Sequence, residues 1–415
     1  MVSYLILTHF KKTAEFVTDD AEDATVNKIA LWLCTFTLSV AVCAVLLLPI
    51  SILSNEVLLT FPHSYYMQWL NGSLIHGLWN LVFLFSNLSL VFLMPFAYFF
   101  TESEGFAGSK KGVMARVYEA VVLLLLLALL VLGIVWVASA LLHDNIARKS
   151  LYDLWEYYLP YLYSGISLFG VLLLLLCTPF GLSRMFSVTG SLLVKPRAVL
   201  CFSNIVKSFV ALKSPFVAFL FFDFLLVLAE MRRKASPWQR NLAYPLAMLV
   251  LLGLTVMCVL MVCFNVLELL LDETALPRGM EVRKDVLVFV LIMNFSYLMV
   301  SSVVGFYSSP PFTGLLPRAQ DTNLTEIIAN CVSLLILSSA LPVFSRTLGI
   351  TRFDLLGDFG RYNWLENFYI VFLYNMLFAG LTSASLIKTV TWAVQRELIR
   401  AFGQSTFHFE CCLAR

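Results

Sequence analysis

Apolar residues in this chain do not alternate, nor do they recur at helical spacing against a polar face. They run on for about 20 positions at a time, the length a helix needs to cross roughly 30 Å of hydrocarbon. The clearest run is VVLLLLLALLVLGIVWVASALL, starting at Val121. Runs of this kind predict spans at about 31–53, 74–100, 121–142, 161–180, 244–271, 286–307, 327–344 and 368–387. The expected fold is all-α, a polytopic transmembrane helical bundle of eight spans preceded by a truncated N-terminal half-span. That half-span, MVSYLILTHF, stops at Lys11 and Lys12. It is too short to cross and lacks the small-residue cleavage site of a signal peptide, so it reads as the stump of a first helix.

The same pattern divides the chain. Residues 1–30 hold the stump and a loop, 31–181 a four-helix membrane region and 182–243 a cytoplasmic central segment. Residues 244–388 form a second four-helix region and 389–415 a cytoplasmic tail. The central segment is atypical, because Ala198 to Glu230 is apolar and aromatic (FVAFLFFDFLLVLAE) yet carries Lys207, Lys213, Pro215 and Asp223. A single crossing there would invert every later loop and move Arg232, Arg233, Lys234 and Arg240 outside, against the positive-inside trend. An amphipathic or re-entrant insert that leaves and returns on one side is the expectation.

Composition agrees, with 60% hydrophobic and 13% charged residues and a mean hydropathy of +0.86. Too little polar surface remains for a soluble domain, so membrane lipids are the first partner. The net charge of +2 points to no nucleic acid. Charge instead reports topology. With the Lys11 loop in the cytoplasm, the loops on that side hold 20 of the 28 Lys and Arg, and the loop from Ser54 to Gly72 holds none. The expected location is the plasma membrane with a cytoplasmic C-terminus, and an endoplasmic reticulum or endosomal pool is compatible with the same pattern. Most of the nine cysteines lie inside apolar runs, with no disulfide framework or zinc spacing. Only Cys411 and Cys412 sit outside them, as palmitoylation candidates beside the blander reading of a polar tail.

Chemistry-bearing motifs are sparse. The five histidines are scattered, and HExxH, GxSxG and Walker-type loops are missing from the sequence, so no catalytic site, metal site or cofactor is expected. Glu119 and Glu268 lie near span ends, where interfacial solvation accounts for them, and Asp223 lies in the insert. Asn80, Asn87 and Asn294 suit interhelical hydrogen bonds, while Ser301, Ser302 and Gly305 suit close helix approach. Pro49, Pro95, Pro179 and Pro342 suit kinks. Tyr65, Tyr66, Trp69 and Trp79 suit an outer aromatic belt. Asn71-Gly72-Ser73 is an outside glycosylation sequon hard against the membrane, whereas Asn323-Leu324-Thr325 falls inside. FDLLGDFGRYNW, from Phe353 to Trp364, gathers Asp354, Asp358, Arg361 and Trp364 with two glycines in an outside loop. It reads as a structured turn or as a docking surface for a soluble ligand.

Several long strings carry a resemblance. ATVNKIALWLCTFTLSV, LLLPISILSNEVLL, YYMQWLNGSLIHGLWNLVFLFSNLSLVFLMPFA and FFTESEGFAGSKKG cover the first half, and RRKASPWQRNLAYPLAM, SYLMVSSVVGFYSS and SSALPVFSRTLGITRFDLLGDFGRYNWLENFYIVFLYN the second. They resemble the limb region 1 and lipocalin-interacting membrane receptor family, and FKKTAEF and RVYEAVV are closer to the lipocalin-interacting branch. The resemblance implies a nine-span plasma-membrane receptor that binds an extracellular lipocalin and mediates its endocytosis. It also implies a long cytoplasmic helical region between the fifth and sixth helices. The chain departs from that pattern in its short first helix and in the apolar AVLCFSNIVKSFVALKSPFVAFLFFDFLLVL, which stands where the family has a polar loop. Two other functions fit the residues: a small-solute transporter or channel, and a scaffold for other membrane proteins.

Overall fold

The computed structural model describes residues 2–11, 21–61, 63–103, 113–142, 151–194, 237–270, 284–317, 321–350 and 368–388. These residues are helical apart from turns and one isolated bridge between Lys11 and Thr322. The helices are α1 Val2–Phe10, α2 Ala21–Thr60, α3 Tyr65–Trp69, α4 His76–Leu88, α5 Met94–Glu102, α6 Val113–Leu142 and α7 Leu151–Val194. They continue with α8 Pro237–Leu270, α9 Lys284–Ser308, α10 Leu324–Ser339, α11 Leu341–Thr347 and α12 Phe368–Lys388. Two π-helical turns, Leu70–Ile75 and Ser89–Leu93, join α3, α4 and α5 into one continuous span. Seven described segments are long and apolar enough to cross a membrane, and α9, at 25 residues, supplies the eighth. All eight expected spans are therefore present as helices.

Side-chain contacts fix the direction of each helix. Thr255 pairs with Tyr297 and Cys258 with Asn294, so α8 and α9 run antiparallel. Thr178 meets Ser302 and Gly181 meets Gly305, so α7 and α9 run parallel. Tyr374 donates to the Val171 carbonyl and Ser385 to the Pro179 carbonyl, which makes α12 parallel to α7 as well. It follows that α7 ends, and α8 begins, at one face of the bundle. The Lys11–Thr322 bridge, the Asp23–Arg116 ion pair and the Ser103–Glu119 hydrogen bond lie at that same face. The 198–230 insert itself lies outside the described residues, but the helices flanking it need no net crossing between them.

The tightest contact in the bundle is the crossing of α7 on α9. A Cβ on Gly181 would lie 1.8 Å from the Ser301 carbonyl oxygen, and one on Gly305 would lie 1.9 Å from that of Cys177. Only glycine permits this approach, since the opposing atoms are backbone and cannot rotate away. The spacing of Ser301, Ser302 and Gly305 signalled it. The core around the crossing is apolar, with Leu174, Leu182, Phe295, Tyr297, Phe306 and Phe344 buried. By contrast the described side chains of α6 pack at its start, where Val113 and Val117 meet Val26 and Phe100. From Val121 to Val131 its large side chains are mostly exposed, as expected for a lipid-facing helix.

One expectation is corrected. Tyr65, Tyr66 and Trp69 are exposed at 74%, 77% and 51%, as a belt requires, but Trp79 is fully buried. Its Nε1 donates to Ser51 Oγ at 2.9 Å, and its ring lies against Phe83. A tryptophan nine residues past Leu70, about 14 Å along the helix, is too deep for the headgroup layer, so it satisfies its N–H within the core instead.

Candidate functional site

Helix α11 ends at the face opposite the Lys11–Thr322 bridge, in RTLGI. Ile350 N–H donates to the Ser345 carbonyl and Gly349 N–H to that of Arg346, with Gly349 at φ +71°. This is a Schellman cap, in which a left-handed glycine lets the chain turn back on the last carbonyls. The cap leaves the Thr347 carbonyl over, and two side chains take it. Asn265 Nδ2 of α8 donates to it at 3.1 Å and Asn375 Nδ2 of α12 at 2.8 Å. The Asn265 side chain packs directly against Gly349, where an added Cβ would lie 2.5 Å from Oδ1. Three helices are thereby locked together at the point where the chain leaves the bundle toward residue 351.

Asp354, Asp358, Arg361 and Trp364 lie outside the described residues, as do Cys411 and Cys412. The described residues nearest to Asp354 and Trp364 are Ile350 before them and Phe368 after them. Asn71 sits half-buried in the π-helical turn Leu70–Ile75 at the same end of the bundle. Asn323 is the N-cap of α10 at the opposite face, so the two sequons are on opposite sides. Among the described residues no group of three or more His, Cys, Asp or Glu could hold a metal ion.

Below this cap a line of neutral polar groups descends through the bundle along α9. Asn294 accepts from Cys258 and donates to Met261 Sδ, and Tyr297 pairs with Thr255. Ser302 pairs with Thr178, and Tyr307 donates to Asn330 Oδ1 near the other face. None of these side chains carries a carboxylate or a base, so the line joins helices without offering an ion a countercharge. Of the polar residues expected in spans, Asn294, Ser301 and Ser302 join this network or the crossing beside it, while Asn80 is exposed. Glu119 takes a hydrogen bond from Ser103 at the bundle's edge, and Arg116 pairs with Asp23 nearby. The side chains of Glu268 and Asp223 lie outside the described residues. Sequence reasoning missed Asn265 and Asn375; an asparagine within an apolar run was the available signal.

The fold and its polar interior thus define a polytopic helical membrane protein. The family model for LMBR1-like membrane proteins matches residues 1–201 and 225–390. The chain belongs to this family, and the unmatched residues 202–224 fall inside the atypical apolar insert. It is 74% identical over 433 residues to the limb region 1 homolog-like protein of Danio rerio, covering 97% of this chain and 88% of that protein. It is 64% identical over 437 residues to protein LMBR1L of Homo sapiens, covering 97% and 89%, and 56% identical over 439 residues to the human limb region 1 protein homolog, covering 98% and 89%. No solved structure matches the chain.

Proposed function

We propose that this protein is a cell-surface receptor of the lipocalin-interacting type, which binds an extracellular lipocalin and carries it into the cell by endocytosis. The observation that carries the reading is the identity to LMBR1L proteins, higher than to the limb region 1 protein homologs and extending over nearly the whole chain. The cap at Thr347 is compatible with it, because it fixes Ile350, the last described residue before Asp354, Asp358, Arg361 and Trp364, which in this reading contact the soluble ligand. In this reading that face is extracellular, the Lys- and Arg-rich face is cytoplasmic, and the C-terminus is cytoplasmic.

Expression of the full chain in cells, with surface biotinylation and uptake of a fluorescent lipocalin measured together, tests the proposal. Uptake above untransfected cells, lost when Asp354, Asp358 and Arg361 are replaced together by Ala at unchanged surface level, is expected. Normal surface delivery without uptake would refute it. In a second reading, a scaffold for other membrane proteins, the exposed side of α6 meets partner helices in place of lipid. Cross-linking in membranes would then recover partners through α6 while lipocalin uptake stayed at background.

A further inference from the structure

An isolated buried cysteine packs as a small apolar residue. Cys34 and Cys331 are placed differently, because they come from different helices, α2 and α10, and meet. They are 0% and 1% exposed. Cys331 Sγ lies 3.7 Å from the Cys34 carbonyl oxygen and within hydrogen-bond reach of the Cys34 thiol. Met94, the first residue of α5 and 2% exposed, belongs to the same buried cluster, together with Leu31, Ala97 and Ile327. The helices α2, α5 and α10 pack against one another pairwise. Methionine is not among the four residue types that make up the metal-holding groups considered above, so this trio of sulfurs is a separate case.

Register brings the three residues to one depth. Asp23 pairs with Arg116, and Glu119, one turn further into α6, takes the hydrogen bond of Ser103. Counted from the level of Asp23 at 1.5 Å per residue, Cys34 lies about 17 Å into the bundle along α2, and Met94 about 18 Å in by way of α6 and α5. Cys331 is held to Cys34 by direct contact. Three helices therefore each bring one sulfur to the same layer of a single cluster.

The donor set selects the guest. Calcium and magnesium take oxygen ligands, and a structural zinc site takes four ligands. Thiolate and thioether sulfur select cuprous ion. Charge selects in the same direction, since a cation in hydrocarbon needs a countercharge at hand. A thiol supplies one by giving up its proton: Cys–SH + Cu⁺ → Cys–S–Cu + H⁺, with the proton passing to bulk water. The bundle stays neutral, and the second thiol and the thioether complete the shell as neutral donors.

We propose that Cys34, Cys331 and Met94 form a binding site for cuprous ion where α2, α5 and α10 meet. The test equilibrates the full chain, in lipid nanodiscs, with cuprous ion buffered by a bathocuproine chelator. A single thiol does not strip copper from that chelator, whereas a cluster of sulfurs does. Copper retained per chain is measured together with the unfolding temperature. Wild type is expected to hold one copper and to unfold at a higher temperature with it. Cys331→Ala is expected to lose about 100-fold in affinity and the thermal shift, and Met94→Leu, close in volume, about tenfold. Cys43→Ala removes an exposed thiol elsewhere on α2 and is expected to change neither readout. Failure of wild type to retain copper refutes the site. So does wild-type retention by Cys331→Ala, or a loss in Cys43→Ala as large as in Cys331→Ala. Should Cys331→Ala fail to fold, Met94→Leu decides, and unchanged affinity there refutes the site.

Discussion

Gly181→Ala should be among the most damaging single-methyl additions in this protein. The new Cβ would sit 1.8 Å from the Ser301 oxygen, 2.7 Å from its carbonyl carbon and 2.9 Å from the Gly305 nitrogen. An ordinary carbon–oxygen contact is about 3.3–3.6 Å. The two helices must therefore part by roughly 1.5 Å at the crossing, because every opposing atom is backbone. Overpacking of this kind costs about 1–3 kcal/mol. Separation also stretches the 2.8 Å Thr178–Ser302 hydrogen bond, worth about 0.6 kcal/mol and at most about 1.7 in a membrane. The total is about 3 kcal/mol, a factor of roughly a hundred in the folded fraction. Gly253→Ala is the matched control, since nothing lies within 4 Å of its Cβ and alanine improves helix propensity by about 1 kcal/mol. Thermal unfolding followed by fluorescence-detected size exclusion should show Gly181→Ala and Gly305→Ala well below wild type and Gly253→Ala at or above it. The double variant should lose less than the sum, because the first methyl already parts the helices. Equal unfolding temperatures for Gly181→Ala and Gly253→Ala would refute the crossing as described.

Asn375→Ala removes one of two donors to the Thr347 carbonyl and should cost about 1 kcal/mol; if the cap positions the loop, lipocalin uptake should drop further than surface level does, and proportional loss of both would count against it. Trp79→Phe removes the bond to Ser51 and should lower the unfolding temperature, whereas Trp69→Phe, at a half-exposed ring, should leave it within error. In intact cells an impermeant thiol reagent should label Tyr65→Cys but not Thr313→Cys, both exposed in the structure, and permeabilisation should reveal the second. Labelling of Thr313→Cys from outside would reverse the orientation.

The existence and type of every span were legible because the signal is long and redundant; a 20-residue apolar run has only one way to satisfy its backbone in lipid. The α7–α9 crossing was legible from one side only. Ser301, Ser302 and Gly305 announced a close approach, but nothing in a single chain says which helix approaches, and Gly181 looks no different from Gly165 until a partner is placed against it. Trp79 failed for a related reason. Tryptophan near a span end suits the headgroup layer, and the serine that draws it inward, Ser51, lies 28 residues away. The Thr347 cap combines both cases: Gly349 after Arg346 is a local stop signal, whereas Asn265 and Asn375 depend on tertiary placement.

The bundle also bears on the segment where this chain departs from its family. Residues 202–224 fall outside the family match, yet the helices before and after them both pack against α9, with α7 parallel to it and α8 antiparallel. A stretch that begins and ends at one face imposes no topological condition on the rest. The Gly181–Gly305 crossing, the polar line along α9 and the Thr347 cap are all built from residues outside it. Replacing residues 198–230 by a flexible Gly-Ser linker should therefore leave the unfolding temperature of the bundle and the labelling of Tyr65→Cys and Thr313→Cys unchanged. If labelling of Tyr65→Cys persisted while Thr313→Cys became accessible from outside, the segment would contribute a crossing, and the antiparallel pairing of α8 with α9 would have to be rebuilt around it.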